Sequence, residues 1–136
     1  MKYIIAEIGS SHDGSFGNAC KLIELAKECG AGAVKFQMHI PSEETLTDAP
    51  NPNFFSEENR FEYFKRTSFS IEQWKKLIIV AKERKIKFIC SAFSIKAVQV
   101  LYNLGVDTIK IPSGEVTNIK MIEAISNLFD NVLLST

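Results

Sequence analysis

The chain has no excess of either charge. Its 16 basic and 16 acidic residues cancel to a formal net charge of zero, which argues against binding to nucleic acid or anionic membrane, since both need a basic surplus. A local basic pocket for a small anion is not excluded. Histidine is scarce, and cysteine is odd in number: Cys20, Cys29 and Cys90 sit in apolar patterns with no CxxC or Cys/His cluster. These three read as reduced core thiols of a cytoplasmic protein. His12 and His39 lack a carboxylate partner at ligand spacing, so a metal site built on them is weak. No apolar run approaches a membrane span, and the opening Met-Lys-Tyr-Ile-Ile-Ala-Glu is too short and too soon interrupted for a signal peptide. Tandem repeats and low-complexity tracts are missing too, and no GxGxxG follows the first apolar run, which weakens a dinucleotide-binding reading.

What is present is an alternation. Apolar, β-prone runs at 3–8, 33–38, 86–90, 108–111 and 131–135 are separated by segments of helical periodicity. The first helix spans 16–29, with Ala19, Leu22, Ile23, Ala26 and Cys29 on one face and Gly30 as its stop. Ser70 caps a helix whose expected buried face is Ile71, Trp74, Leu77, Ile78 and Ala81. Ser94 caps another, with Ile95, Val98, Leu101 and Tyr102 on one face and Gly105 at its end. Thr117 or Asn118 starts the last, with Ile119, Ile122, Ile125 and Leu128 inward. Residues 39–69 hold three of the four prolines but also Phe54, Phe55, Phe61, Tyr63, Phe64 and Phe69. That is too aromatic for disorder, so a packed lid is expected, with a short helix starting at Ser56-Glu57-Glu58. Strict βα alternation with near-continuous apolar strands predicts a parallel sheet covered by helices. Either an open doubly wound sheet or part of a (β/α)8 barrel satisfies it; whole barrels run to about 250 residues.

Each apolar strand carries a polar residue near its C-terminal end. These are Glu7; Lys35 and Gln37; Ser91; Lys110 with Ser113 and Glu115 beyond it; and Ser135 with Thr136. Barrel active sites lie at that end. Lys35 and Lys110 in one cavity repel unless an anion lies between them. With hydroxyls from Ser91, Ser113 and Ser135, they suit a phosphate, or a phosphate with a carboxylate. Glu7, Gln37 and Glu115 suit the hydroxyls of a sugar or polyol. The plainer alternative is a Lys35–Glu7 or Lys110–Glu115 ion pair closing the barrel floor. His12, in Ser11-His-Asp-Gly, either lines the site or sits in a solvated turn, and His39 hydrogen-bonds locally.

The motifs also carry a resemblance. They are Ile4-Ile-Ala-Glu-Ile-Gly9 with His12-Asp-Gly14, Gly32-Ala-Val-Lys-Phe-Gln37, Glu62-Tyr-Phe-Lys-Arg-Thr67 up to Trp74, Lys110-Ile-Pro-Ser-Gly-Glu115 with Thr117-Asn118, and Leu133-Leu-Ser-Thr136. In this order they resemble the N-terminal motifs of the sialic acid synthase family, especially its bacterial nonulosonate branch. The resemblance implies an α/β fold of (β/α)8 TIM-barrel type, with residues 1–136 forming a partial barrel domain that reaches its fifth strand, and no second domain. It implies condensation of phosphoenolpyruvate with an N-acetylmannosamine-type sugar to a nine-carbon 2-keto acid. Lys35, Ser91, Ser113 and Ser135 are then expected at the phosphate, Lys110 at the carboxylate, and Glu7, Gln37 and Glu115 on the sugar side. Glu7, Lys110 and Glu115 are the expected catalytic residues, and Asn118 joins the substrate-binding set. A divalent metal, manganese or magnesium, is implied, with its ligands outside this chain. A homo-oligomer is expected, and the 136 residues alone are expected to be inactive. Two departures stand out: Ser11-His12 replaces Asn-His, and Ser91-Ala92-Phe93 replaces Thr-Pro-Phe. Two other readings stay open: a non-catalytic module that binds phosphate or a partner chain, and another phosphoenolpyruvate-dependent keto-acid synthase.

Overall fold

A computed structural model describes residues 3–51 and 58–135. Five strands, β1 (Ile5–Gly9), β2 (Ala33–Met38), β3 (Lys87–Ala92), β4 (Thr108–Ile111) and β5 (Asn131–Leu134), form one sheet in the order β1-β2-β3-β4-β5. Every neighbouring pair is parallel. The order never reverses, so the sheet has no switch point, and the doubly wound alternative is set aside. Right-handed crossovers in one direction put all helices on one side, and the sheet is an arc of a (β/α)8-type barrel.

The helices are α1 (Phe16–Glu28), α2 (Pro41–Glu44), α3 (Arg60–Thr67), α4 (Ile71–Glu83), α5 (Ile95–Asn103) and α6 (Ile119–Leu128), with a 3₁₀ turn at Ser113–Glu115. Their start signals are local. Ser70 closes a reciprocal capping box with Gln73. Ser94 accepts from the Ala97 amide and Asn118 from the Met121 amide. Asn59, rather than the 56–58 segment, caps α3. Of that expected start, Ser56 and Glu57 lie outside the described residues, as do Phe54 and Phe55.

Strand parity divides the sheet. Val34, Phe36, Met38, Phe88, Cys90, Ala92, Ile109 and Ile111 face the helices and belong to the core. Phe36 stacks on Phe88 with ring centroids 5.3 Å apart and meets Trp74 edge-on at 6.1 Å. Burying each such ring stabilises the fold by roughly 2–3 kcal/mol. The opposite, concave face carries Glu7, Lys35, Gln37, Ile89, Ser91, Thr108 and Lys110.

The expected helix faces are realised for the most part, with Ile78, Ile122 and Leu128 packed against the core, and depart at four residues. Ile71, Ile95, Tyr102 and Ile119 are exposed, and the buried sets are Trp74, Leu77 and Ala81; Ala97, Val98 and Leu101; and Met121 and Ile125. Ile71, Ile95 and Ile119 are each the first residue of a helix, at the sheet rim, before the helix has turned over the strands. The core-thiol expectation holds for Cys90 only, since Cys20 is half-buried and Cys29 exposed.

Candidate active site

At the C-terminal ends of the strands the concave face turns polar. Glu7 pairs in register with Lys35, Gln37 with Ser91, and Ser91 with Lys110. A register shift between Glu7 and Gly9 bulges β1 where it meets this end, a device that re-aims side chains beside binding sites. Lys35 is buried and ion-pairs with Glu7, whose carboxylate is half open to water. The plainer ion-pair alternative is therefore realised in its Lys35–Glu7 form. Its Lys110–Glu115 form is not, and Glu115 accepts from Asn118 Nδ2 at 2.9 Å.

Burial, and then the neighbouring Lys110 charge, pull the Lys35 ammonium below the ordinary lysine range. Lys35 thus senses the Lys110 charge. Lys110 makes no ion pair among the described residues. On the strands two lysines stand against the one carboxylate of Glu7, and a second carboxylate, Glu115, lies in the turn after β4. Between Gln37 and Lys110 in the register lies Ser91, 1% exposed, whose Oγ has no hydrogen-bond partner. A buried hydroxyl without a partner is costly.

The outer residues are looser. Ser113 is exposed, and Glu115 and Asn118 are half-buried in the turn after β4. Asn118 has both ends of its amide in use, its Oδ1 capping α6 and its Nδ2 donating to Glu115. Its place is to hold Glu115. Ser135 follows β5, and its amide donates to Ile111 O at 3.1 Å. Thr136 lies outside the described residues.

His12 is not a solvated turn residue. It is 2% exposed, and Phe69 lies 4.4 Å away and Phe36 6.0 Å away by ring centroid. Phe36 faces the helices, so His12 packs behind the sheet rather than into the cavity. Burial lowers its pKa, with Asp13 opposing. His39 is buried between Phe64 and Phe93 and bonds Glu44 at 2.7 Å, so it does have a carboxylate partner. This Glu44 contact was missed in the sequence, although Pro41 followed by Ser42-Glu43-Glu44 is a legible helix start. Among the described residues no three His, Cys, Asp or Glu side chains converge. With His39 committed to Glu44, Glu7 to Lys35, and His12 turned into the core, the residues present do not fit a divalent metal.

A parallel β/α arc with Lys35, Ser91 and Lys110 on one face toward its C-terminal rim defines a barrel-type protein. The model of the NeuB family matches residues 22–136, and the chain belongs to that family. It is 34% identical to the N,N'-diacetyllegionaminic acid synthase of Campylobacter jejuni, over 98% of this chain and 41% of that protein. It is 33% identical to the human N-acetylneuraminate-9-phosphate synthase, over 89% of this chain and 35% of that one. The crystal structure of N-acetylneuraminic acid synthetase from Leptospira borgpetersenii superposes with a TM-score of 0.78 at 27% identity, covering 97% of this chain and 43% of that one. The chain spans about two fifths of the length of the relatives it matches. Among the described residues no helix is long and apolar enough to cross a membrane.

Proposed function

We propose that this chain carries the phosphoenolpyruvate half of a synthase active site in nonulosonic acid biosynthesis. The acceptor is an N-acetylmannosamine-type sugar. The observation that carries the reading is the buried, unpartnered Ser91 hydroxyl set in register beside Lys110, with Lys35 on the next strand over. An oxyanion accepting from Ser91 removes the cost of its isolation. The same oxyanion lies between two ammonium groups and relieves their repulsion. Lys35 with Ser91, Ser113 and Ser135 takes the phosphate, and Lys110 the carboxylate. Glu7, Gln37 and Glu115 line the sugar side.

In the reaction, the enol carbon of phosphoenolpyruvate bonds to the aldehyde carbon of the open-chain sugar. Water adds to the former enol-ester carbon and inorganic phosphate leaves. The part of this chain is to bind and orient the anion with charges already in place, so that little reorganisation accompanies the step.

Calorimetric titration with phosphoenolpyruvate tests the reading. The wild-type chain binds, and a Lys35→Ala/Lys110→Ala double variant does not. Equal heats from both, or none from the wild type, overturn it. The isolated 136 residues are expected to release little or no phosphate from phosphoenolpyruvate with N-acetylmannosamine and manganese. Robust turnover would remove the claim that only half of the site is here.

A further inference from the structure

Glu44 and His39 form a buried pair that binding of phosphoenolpyruvate does not use. Both side chains are 5% exposed and 2.7 Å apart. The imidazole lies between two rings, with centroids 3.7 Å from Phe64 and 4.1 Å from Phe93. Ser68 fixes the backbone by donating its hydroxyl to His39 O at 3.0 Å. Burying a carboxylate is costly unless a partner meets it, and an apolar pair would fill the same space. The polar pair therefore needs a reason beyond packing.

That reason lies on the far side of the ring. With Nδ1 committed to Glu44, Nε2 faces the Gln37 Oε1 at 3.4 Å. Gln37 is half-buried on the concave face, opposite Ser91 in the register. The other end of its amide reaches toward Gly9: a Cβ there would lie 3.8 Å from Gln37 Nε2 and 3.5 Å from Glu7 Oε1. A polar line thus runs from Glu44 through His39 and Gln37 toward Glu7, the residues set on the sugar side above.

We infer that His39, held by Glu44, is a positioning residue that fixes which end of the Gln37 amide faces the sugar. This rests on the proposed synthase function. A primary amide offers a donor at one end and an acceptor at the other, and a half-turn exchanges them. When both ring nitrogens carry protons, Nδ1–H donates to Glu44 and Nε2–H to Oε1, which presents the NH₂ to the cavity. The dyad then sets a donor for an acceptor group of the amino-sugar, and it touches neither the phosphate nor the carboxylate of phosphoenolpyruvate.

The test uses the full chain and two variants. Glu44→Gln keeps the shape and removes the charge. His39→Phe/Glu44→Leu keeps the aromatic stack and leaves no unpaired buried charge. The readouts are the side-chain amide signals of Gln37 in ¹H–¹⁵N spectra, phosphoenolpyruvate affinity, and the response to N-acetylmannosamine at saturating phosphoenolpyruvate. In the double variant the Gln37 signals move or broaden, phosphoenolpyruvate affinity stays within about twofold, and the sugar response weakens about tenfold, the worth of one hydrogen bond. Glu44→Gln falls between it and the wild type. Unchanged Gln37 signals with an unchanged sugar response overturn the inference, as does equal weakening of both ligands. If the wild type answers to phosphoenolpyruvate and not to the sugar, the Gln37 signals alone decide, and unchanged signals overturn the inference; if it answers to neither ligand, the synthase reading fails by itself. The Gln37 signals of the double variant then decide whether the dyad holds that amide.

Discussion

A hydroxyl buried with nothing to bond costs roughly 1–3 kcal/mol, and Ser91 is in that position in the ligand-free chain. Removing it separates stability from function. Ser91→Ala is expected to leave the unfolding free energy unchanged or to raise it by up to about 1 kcal/mol. Phosphoenolpyruvate affinity is expected to fall about tenfold, as for a lost charge-assisted hydrogen bond. Denaturant melts and calorimetry on the same samples check both; a variant that loses stability and keeps affinity refutes the assignment. Lys35 gives a second test, through pH. Its pKa lies below the ordinary lysine value of 10.5 because burial, and then Lys110, disfavour its charge. Below the lowered value both folded and unfolded chains hold the proton. Between that value and 10.5, only the unfolded chain does, so unfolding takes up a proton and Lys35's contribution to stability rises with pH across that window. Anion affinity must fall across the same window, because the folded chain is losing its ammonium. Opposite slopes in stability and affinity over that interval are expected, and Lys35→Met should flatten both.

Among the elements, α3 is fastened to the loop after β1 by a contact 53 residues apart in sequence and to the segment just before it by one 8 residues apart. Arg66 reaches Asp13 at 2.6 Å and Glu58 at 2.8 and 3.0 Å, and its guanidinium lies 5.1 Å from the Tyr63 ring. The closest approach is backbone to backbone. Gly14 has φ +78, and a Cβ on it would stand 2.5 Å from Arg66 O. Gly14→Ala is expected to cost roughly 1–3 kcal/mol and to speed hydrogen exchange in α3 more than in α4. Gly14→Asn separates the two causes. Asparagine tolerates positive φ but brings the same Cβ, so it should do no better than alanine; recovery with asparagine would make φ the cause and not the contact. Such a fastening cannot be read from the sequence, because nothing local couples residue 14 to residue 66. What was legible was local. The apolar runs gave β2 and β4 with their observed bounds, and Ser70, Ser94 and Asn118 were readable as caps. The polar residues at the strand ends were legible from parity, which placed Lys35, Gln37, Ser91 and Lys110 on one face. The inward faces of α4, α5 and α6 were legible except at Tyr102 and at their first residues, because periodicity gives spacing but not where a helix first meets its sheet. The His39–Glu44 pair escaped because a Pro41 turn, and not helical spacing, brings its members together.

At the scale of the molecule, the arc has two open edges. β1 and β5 each pair on one side only within the described sheet. β5 is the less covered: Val132 is 39% and Leu134 58% exposed, on a strand whose neighbour β4 is largely buried. The concave face is open as well. Toward the N-terminal ends of the strands it holds a cavity of about 380 Å³ lined by Ile5, Ile89, Thr108 and Leu133, at the end opposite the polar pocket. A closed barrel fills such an interior with side chains from its other strands. An unpaired parallel edge beside exposed aliphatic side chains is a template for association. The isolated chain is therefore expected to self-associate through β5, with a light-scattering mass that grows with concentration. Val132→Lys/Leu134→Lys puts charge on the helix-facing side of that edge, where like charges on two copies repel. It should return the chain to a monomer while leaving Lys35, Ser91 and Lys110 in place to bind phosphoenolpyruvate. A wild-type chain that is monomeric at all concentrations and unfolds in one cooperative step would show that the arc is self-sufficient, and β5 would then not be its adhesive edge.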